Sequence, residues 1–176
     1  MSGHNKWSQI KNKKAATDAK RSKIFTKYAR LIATESRLNK GDVNAPTLRA
    51  AIEKAKKENM PNDNIDRAVK KGIGGEAGVM ETIMYEAYGP AGCGIIIVSL
   101  TDNRNKAVQE IKHILSKNGA TFATTGAASW NFEKTAEGYV PKTTTTLSDE
   151  DIEKLERVVD ELEDNDEVQD VYTSAE

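Results

Sequence analysis

Cysteine is almost absent. Cys93 is the only one among 176 residues, so no disulfide can form within the chain and nothing points to an oxidising compartment. Histidine is nearly as scarce: His4 and His113 are the only two, and neither joins Cys93 or a carboxylate cluster at a metal-ligand spacing. No metal and no other cofactor is expected. Long apolar runs are missing too, since the longest surrounds Ile95-Ile96-Ile97-Val98, far short of the ~20 residues a membrane helix needs. No apolar segment follows the basic start as a signal peptide would require, and that start is richer in Lys than the Arg-rich transit peptides. The reading is therefore a cytoplasmic protein with no membrane partner. No Gly-x-Ser-x-Gly elbow, dinucleotide fingerprint or Walker sequence is found, and no carboxylate cluster suggests a metal-dependent nuclease. No catalytic residue is nominated, and the chain is expected not to be an enzyme.

What the sequence does have is charge sorted by sign. Residues 1–75 hold 18 basic and 7 acidic side chains, and residues 76–176 hold 8 and 20, so a formal net charge of −1 conceals halves of +11 and −12. Such a split suggests two modules with different partners. Within the first, Lys6, Lys11, Lys13, Lys14, Lys20, Arg21, Lys23, Lys27 and Arg30 stand against the single acid Asp18. A density of one sign this high calls for an anionic partner. The part before Ser22 has little apolar residue to bury, so its lysines are not simply the wet side of a packed helix. Trp7 lies inside the run, where an indole can stack on a base or pack on the domain. These ten residues, Trp7 included, form the expected nucleic-acid-binding set.

Ile24, Tyr28, Leu31 and Ile32 mark one stripe of a helix from about Ser22 to Leu38, with Gly41 a left-handed stop. The basic side chains spread largely over its remaining surface. Asn44 as a cap and Pro46 near the first helical position announce a second helix through Leu48, Ala51, Ile52 and Ala55. A third starts at Pro61 and runs through Ile65, Ala68 and Val69 to Gly72. Three short amphipathic helices can cover one another, giving a basic helical domain over 1–75.

Four glycines between Gly72 and Gly78 read as a flexible hinge. Beyond it the period changes. Glu81–Ala87 and Gly94–Leu100 read as a hairpin turned at Gly89-Pro90-Ala91-Gly92, and Thr101 or Asp102 caps a helix carrying Val108, Ile111 and Leu115. Ala127–Phe132 reads as a strand that pairs with Tyr139-Val140. Ser148 to Asp151 resembles a capping box opening a helix with Ile152, Leu155, Val158, Val159 and Leu162 on one side. Val168–Tyr172 is a last strand. The expected fold is α+β: a three-helix domain with a basic arm, then, over 76–176, an α+β sandwich with a mainly antiparallel sheet. From Asp149 onward 13 acids face only Lys154 and Arg157, a solvated helix face, or a surface that repels nucleic acid or docks against a basic one such as the chain's own arm. Asp102, Asn103, Arg104 and Asn105, where strand passes into helix, are either a cap or a polar recognition patch.

Gly3-His4-Asn5-Lys6-Trp7 and Asp18-Ala19-Lys20-Arg21-Ser22-Lys23-Ile24-Phe25 resemble the start of the YebC family, which includes the mitochondrial translational activator of cytochrome c oxidase. Asn59-Met60-Pro61, Tyr85-Glu86-Ala87-Tyr88-Gly89-Pro90, Thr101-Asp102-Asn103-Arg104-Asn105 and Val168-Gln169-Asp170-Val171-Tyr172 extend the resemblance over nearly the whole chain. Family members usually carry a third small domain between the strand at Trp130–Phe132 and Thr143–Thr146. Here Glu133 to Lys142 bridges that gap directly, so the chain resembles a short form.

The resemblance implies a non-enzymatic regulator of gene expression, acting either on DNA as a transcriptional regulator or on the ribosome as a translation factor that relieves stalling. No helix-turn-helix, zinc finger or RNA-recognition sheet is visible, so sequence-specific DNA readout has no evident module. The expectation is a monomer whose partner is ribosomal RNA or tRNA on the ribosome, with DNA as the alternative.

Overall fold

The computed structural model describes Trp7, residues 18–75 and residues 78–176. It divides into two compact units: Ala15–Met80, and Glu81–Glu176 joined by Met1–Lys14, of which Trp7 is described. The α+β class with an N-terminal helical region is as the sequence indicates.

The first unit holds α1 (Asp18–Leu38), α2 (Pro46–Lys57) and α3 (Asn62–Ile73). Ile32, Leu48, Ala51, Ala55, Met60, Ile65 and Ala68 make its core. Fully burying Ile32 and Leu48 contributes about 1.5–3 kcal/mol each. Small residues let α1 and α3 approach closely. The Ser36 hydroxyl donates to the Val69 carbonyl at 2.7 Å, and a Cβ on Gly72 would lie 2.4 Å from the Ala33 carbonyl oxygen. Gly72 is thus a buried helix residue, and the flexible hinge expected to begin there cannot include it. At the other end of α1, Gly41 adopts φ +78 and its N–H reaches back to the Ser36 carbonyl at 2.8 Å, closing the helix.

The second unit has a four-stranded antiparallel sheet in the order β3 (Thr121–Ala123), β1 (Glu81–Tyr88), β2 (Gly94–Thr101), β6 (Val168–Thr173). A separate hairpin joins β4 (Phe132–Thr135) to β5 (Gly138–Pro141). Two helices, α4 (Arg104–Lys117) and α5 (Asp149–Asp164), complete it. Period-two alternation gives the sheet two faces. Ala87, Ile95, Ile97 and Val171 pack with Ile111 and Leu115 of α4 and with Leu155 and Val158 of α5. On the other face, the Phe132 ring would lie 3.1 Å from a Cβ on Gly94, and Tyr139 meets Tyr172 edge-on at 5.5 Å.

Local expectations change at several points: α1 begins at Asp18, ahead of Ser22, and Ala45, not Asn44, holds the cap position of α2, with no side-chain cap bond. Ala127–Asn131 is not strand: a 3-10 turn at Ser129–Asn131 precedes β4, which starts only at Phe132. The short β3 was not foreseen. Asn103 caps α4, in place of Thr101 or Asp102; its side chain accepts the Lys106 N–H, while the Thr101 hydroxyl accepts the N–H of Asn103. The Ser148 cap is present, accepting the Asp151 N–H at 3.2 Å.

Candidate nucleic-acid interface

The expected basic set falls in two parts. Lys6, Lys11, Lys13 and Lys14 lie outside the described residues. Lys20, Arg21, Lys23, Lys27 and Arg30 all lie on α1. Lys20, Lys23, Lys27 and Arg30 follow one another at steps of three and four, so they share one face of the helix and span about 15 Å along its axis. That face lies away from Phe25, Tyr28, Ala29 and Ile32, which pack in the unit's core, and Leu31 packs there from the border between the two. Four of the five helical charges therefore form a line, and Arg21 stands off it. The four are half-buried and Arg21 is exposed. On the same helix the Thr26 hydroxyl donates back to the Ser22 carbonyl at 3.0 Å.

Trp7 is corrected. It is 7% exposed and belongs to the apolar core of the sheet unit with Ile111, Leu155 and Val171. A buried indole has no face to offer a base, so of its two courses it takes the packing one.

The Asp102–Asn105 segment is exposed. Asn103 is committed to its cap, and Arg104 bonds Glu81 on the neighbouring strand through its guanidinium. That hydrogen bond lowers the Glu81 pKa and raises that of Arg104. The next residue, Lys106, pairs with the buried Glu167 at 3.2 Å and has its pKa raised by that bond. Cap and ion pairs account for most of the segment's chemistry.

Two features escaped the sequence reading. The Glu86 carboxylate, 2% exposed, accepts backbone N–H groups from Gly126 at 2.6 Å, Ala128 at 2.9 Å and Ser129 at 2.6 Å. Burial opposes its ionisation, but these donors outweigh burial and hold its pKa below the ordinary value. Beside this anchor, Trp130 stands 67% exposed. Its indole N–H donates to the Ala127 carbonyl at 2.9 Å, and the Tyr88 hydroxyl donates to the same oxygen. A strand assignment for 127–132 hid both. The one signal was an acid amid the half-buried pattern of Tyr85-Glu86-Ala87.

Among the described residues no group of three or more His, Cys, Asp or Glu could hold a metal ion, and no helix is long and apolar enough to cross a membrane. Cys93 is fully buried, and burial pushes its thiol up to about 12, so it is not poised as a nucleophile.

Comparison with known proteins adds the following. A profile described as "TACO1/YebC protein N-terminal domain" matches residues 5–75. One described as "TACO1/YebC second and third domain" matches 80–137 and 135–175. A "Probable transcriptional regulatory protein" of Trichlorobacter lovleyi is 47% identical over 98% of this chain and 70% of its own. A protein of the same description from Fervidobacterium nodosum is 38% identical over 98% of this chain and 92% of its own. That alignment runs to 233 residues, more than the 176 present here, so the relative carries residues without a counterpart in this chain. Other curated relatives are spanned over 57% of their length. The crystal structure of a conserved hypothetical protein, Aq1575, from Aquifex aeolicus superposes with a TM-score of 0.77 at 28% identity, covering 92% of each chain.

Proposed function

The chain belongs to the TACO1/YebC family, and from that premise we propose that it is a non-enzymatic nucleic-acid-binding regulator that grips phosphate backbones through residues 1–75 and acts on structured RNA of the ribosome. The observation that carries this reading is the line of Lys20, Lys23, Lys27 and Arg30 on one face of α1, in a half of the chain with a net +11. Side chains three or four residues apart on a helix leave it about 5–6 Å apart at their Cβ atoms, so a single line can meet several phosphates at once. Lys dominates this line. It is a point-charge donor, whereas the planar fork of Arg reads guanine edges in the major groove. Such a surface favours shape and charge over base sequence.

Promoter DNA is the second reading, supported by the description of the relatives as probable transcriptional regulatory proteins. Crosslinking in cells separates the two. Reads concentrated on ribosomal RNA or tRNA are expected; reads confined to a few promoters, with ribosomal RNA and tRNA at background, would replace the first reading with the second. A sucrose-gradient profile of the tagged protein, with and without ribonuclease, tests ribosome association independently.

A further inference from the structure

The chain has two tryptophans, and the fold treats them in opposite ways. Trp7 is in a core; Trp130 is 67% exposed. An exposed indole on a loose loop would need no explanation, but this one is held. Its N–H is tied to the Ala127 carbonyl at 2.9 Å, which also accepts the Tyr88 hydroxyl. The loop is fastened beneath by three backbone N–H groups on the buried Glu86 carboxylate. A second tie lies on the far side. The Asn131 side chain exchanges hydrogen bonds with the Thr143 backbone at 2.8 and 3.0 Å, and the Lys142 N–H donates to the Asn131 carbonyl at 2.7 Å. With its only polar hydrogen used internally, the indole presents a π face in a fixed orientation.

The surroundings indicate what that face receives. Residues 118–132 contain no Asp, Glu, Lys or Arg, although 30% of the chain is charged and the second half is strongly acidic. A polyanion reaching Trp130 meets no acid from this loop, and the exposed Glu133 that follows it is neighboured by the exposed Lys134. Thr124 and Thr125 are exposed on the same loop, and Lys142 and Thr143 are exposed beside Asn131, supplying hydroxyl and ammonium donors for sugar and phosphate. A tryptophan built to anchor a protein partner sits at the centre of an apolar patch; the exposed residues next to this one in the sequence, from Thr124 to Gly126, are polar or small.

We propose that Trp130 is a stacking platform for an unpaired nucleobase, with Lys142 and the neighbouring threonines meeting the backbone of that strand. The inference rests on the nucleic-acid reading above and adds a strand preference: single-stranded segments over duplex.

The test uses the full chain, a mixed-sequence single-stranded RNA and a blunt RNA duplex of equal length, with Trp130→Ala, Trp130→Leu and Trp130→Phe. The single strand should quench the emission of the exposed indole. Trp130→Ala and Trp130→Leu should weaken single-strand binding about ten-fold or more and change duplex binding less than two-fold, while Trp130→Phe restores most of the affinity. Should Trp130→Ala fail to fold, Trp130→Leu keeps the bulk and decides alone. If Trp130→Leu binds single strand like the wild type, the ring is not a stacking platform, even if wild-type binding through the basic line is intact. Equal losses on both RNA forms would overturn the strand preference. A wild-type chain that binds neither RNA would instead end the RNA reading, and this inference with it.

Discussion

Gly72 of α3 and Ala33 of α1 are so close that a Cβ on the glycine would sit 2.4 Å from the alanine carbonyl oxygen and 2.7 Å from the Ser36 Cβ. Neither neighbour is the far end of a flexible side chain, so the helices would have to part. Gly72→Ala should destabilise the helical unit by about 1–3 kcal/mol, read as a lower urea midpoint. Gly74→Ala is the control: Gly74 has ordinary helical angles and its Cβ would meet nothing nearer than 3.4 Å. A change within about 1 kcal/mol in either direction is expected there.

Glu86 makes stability depend on acid. Its folded pKa lies below the ordinary carboxylate value of 4.5, so the stability it contributes is present above that value and is lost as pH falls through the folded pKa. Glu86→Ala leaves three backbone donors without their acceptor at about 1–3 kcal/mol for each that stays buried. The variant should therefore be less stable at neutral pH and show a flatter acid limb. Urea midpoints for both proteins between pH 2 and 7 measure it; parallel curves would mean that another carboxylate controls the acid transition.

For the basic line on α1, charge removal should be graded. Each of Lys20→Ala, Lys23→Ala and Lys27→Ala should reduce the slope of log K against log salt by about one phosphate's worth. Binding should weaken similarly across sequences, and titrations at several salt concentrations will show whether the slopes change.

Trp7→Ala should behave as a core truncation, destabilising the sheet unit by about 3–5 kcal/mol. A binding loss with unchanged melting behaviour would instead put the indole on the nucleic acid.

Much of this architecture was legible because it is local. The recurrence of Ile24, Tyr28, Leu31 and Ile32 marks α1, Ser148 marks the start of α5, and the β-branched run at Ile95–Val98 marks the central strand. The candidate site was only partly legible, for a physical reason in each case. Trp7 lies among lysines in the sequence, and what buries it comes from Ile111, Leu155 and Val171, more than a hundred residues away. Glu86 is an acid in a strand, which by pattern faces water; only the loop about 40 residues further on supplies the N–H groups that make burial tolerable. Ala127–Phe132 contains two aromatics and reads as β structure, yet with the Ala128 and Ser129 N–H groups on Glu86 and that of Ala127 on the Thr124 carbonyl, these backbone donors are not free to join a ladder.

The β4–β5 hairpin bears on how this family varies in length. The two stretches matched by the second-and-third-domain profile meet at residues 135–137, the turn in which Thr135 pairs with Gly138. Paired residues in an antiparallel ladder have Cα atoms about 5 Å apart, so a folded module whose own ends lie close together can be spliced between them without pulling the strands out of register. Removing such a module leaves two strand ends that a two-residue turn can join: the Thr135 hydroxyl accepts the Glu137 N–H, and Gly138 adopts φ +121. The same turn is thus a place to insert a reporter or affinity module in protein engineering, so long as Gly138 and Tyr139 keep their packing on Tyr172 of β6.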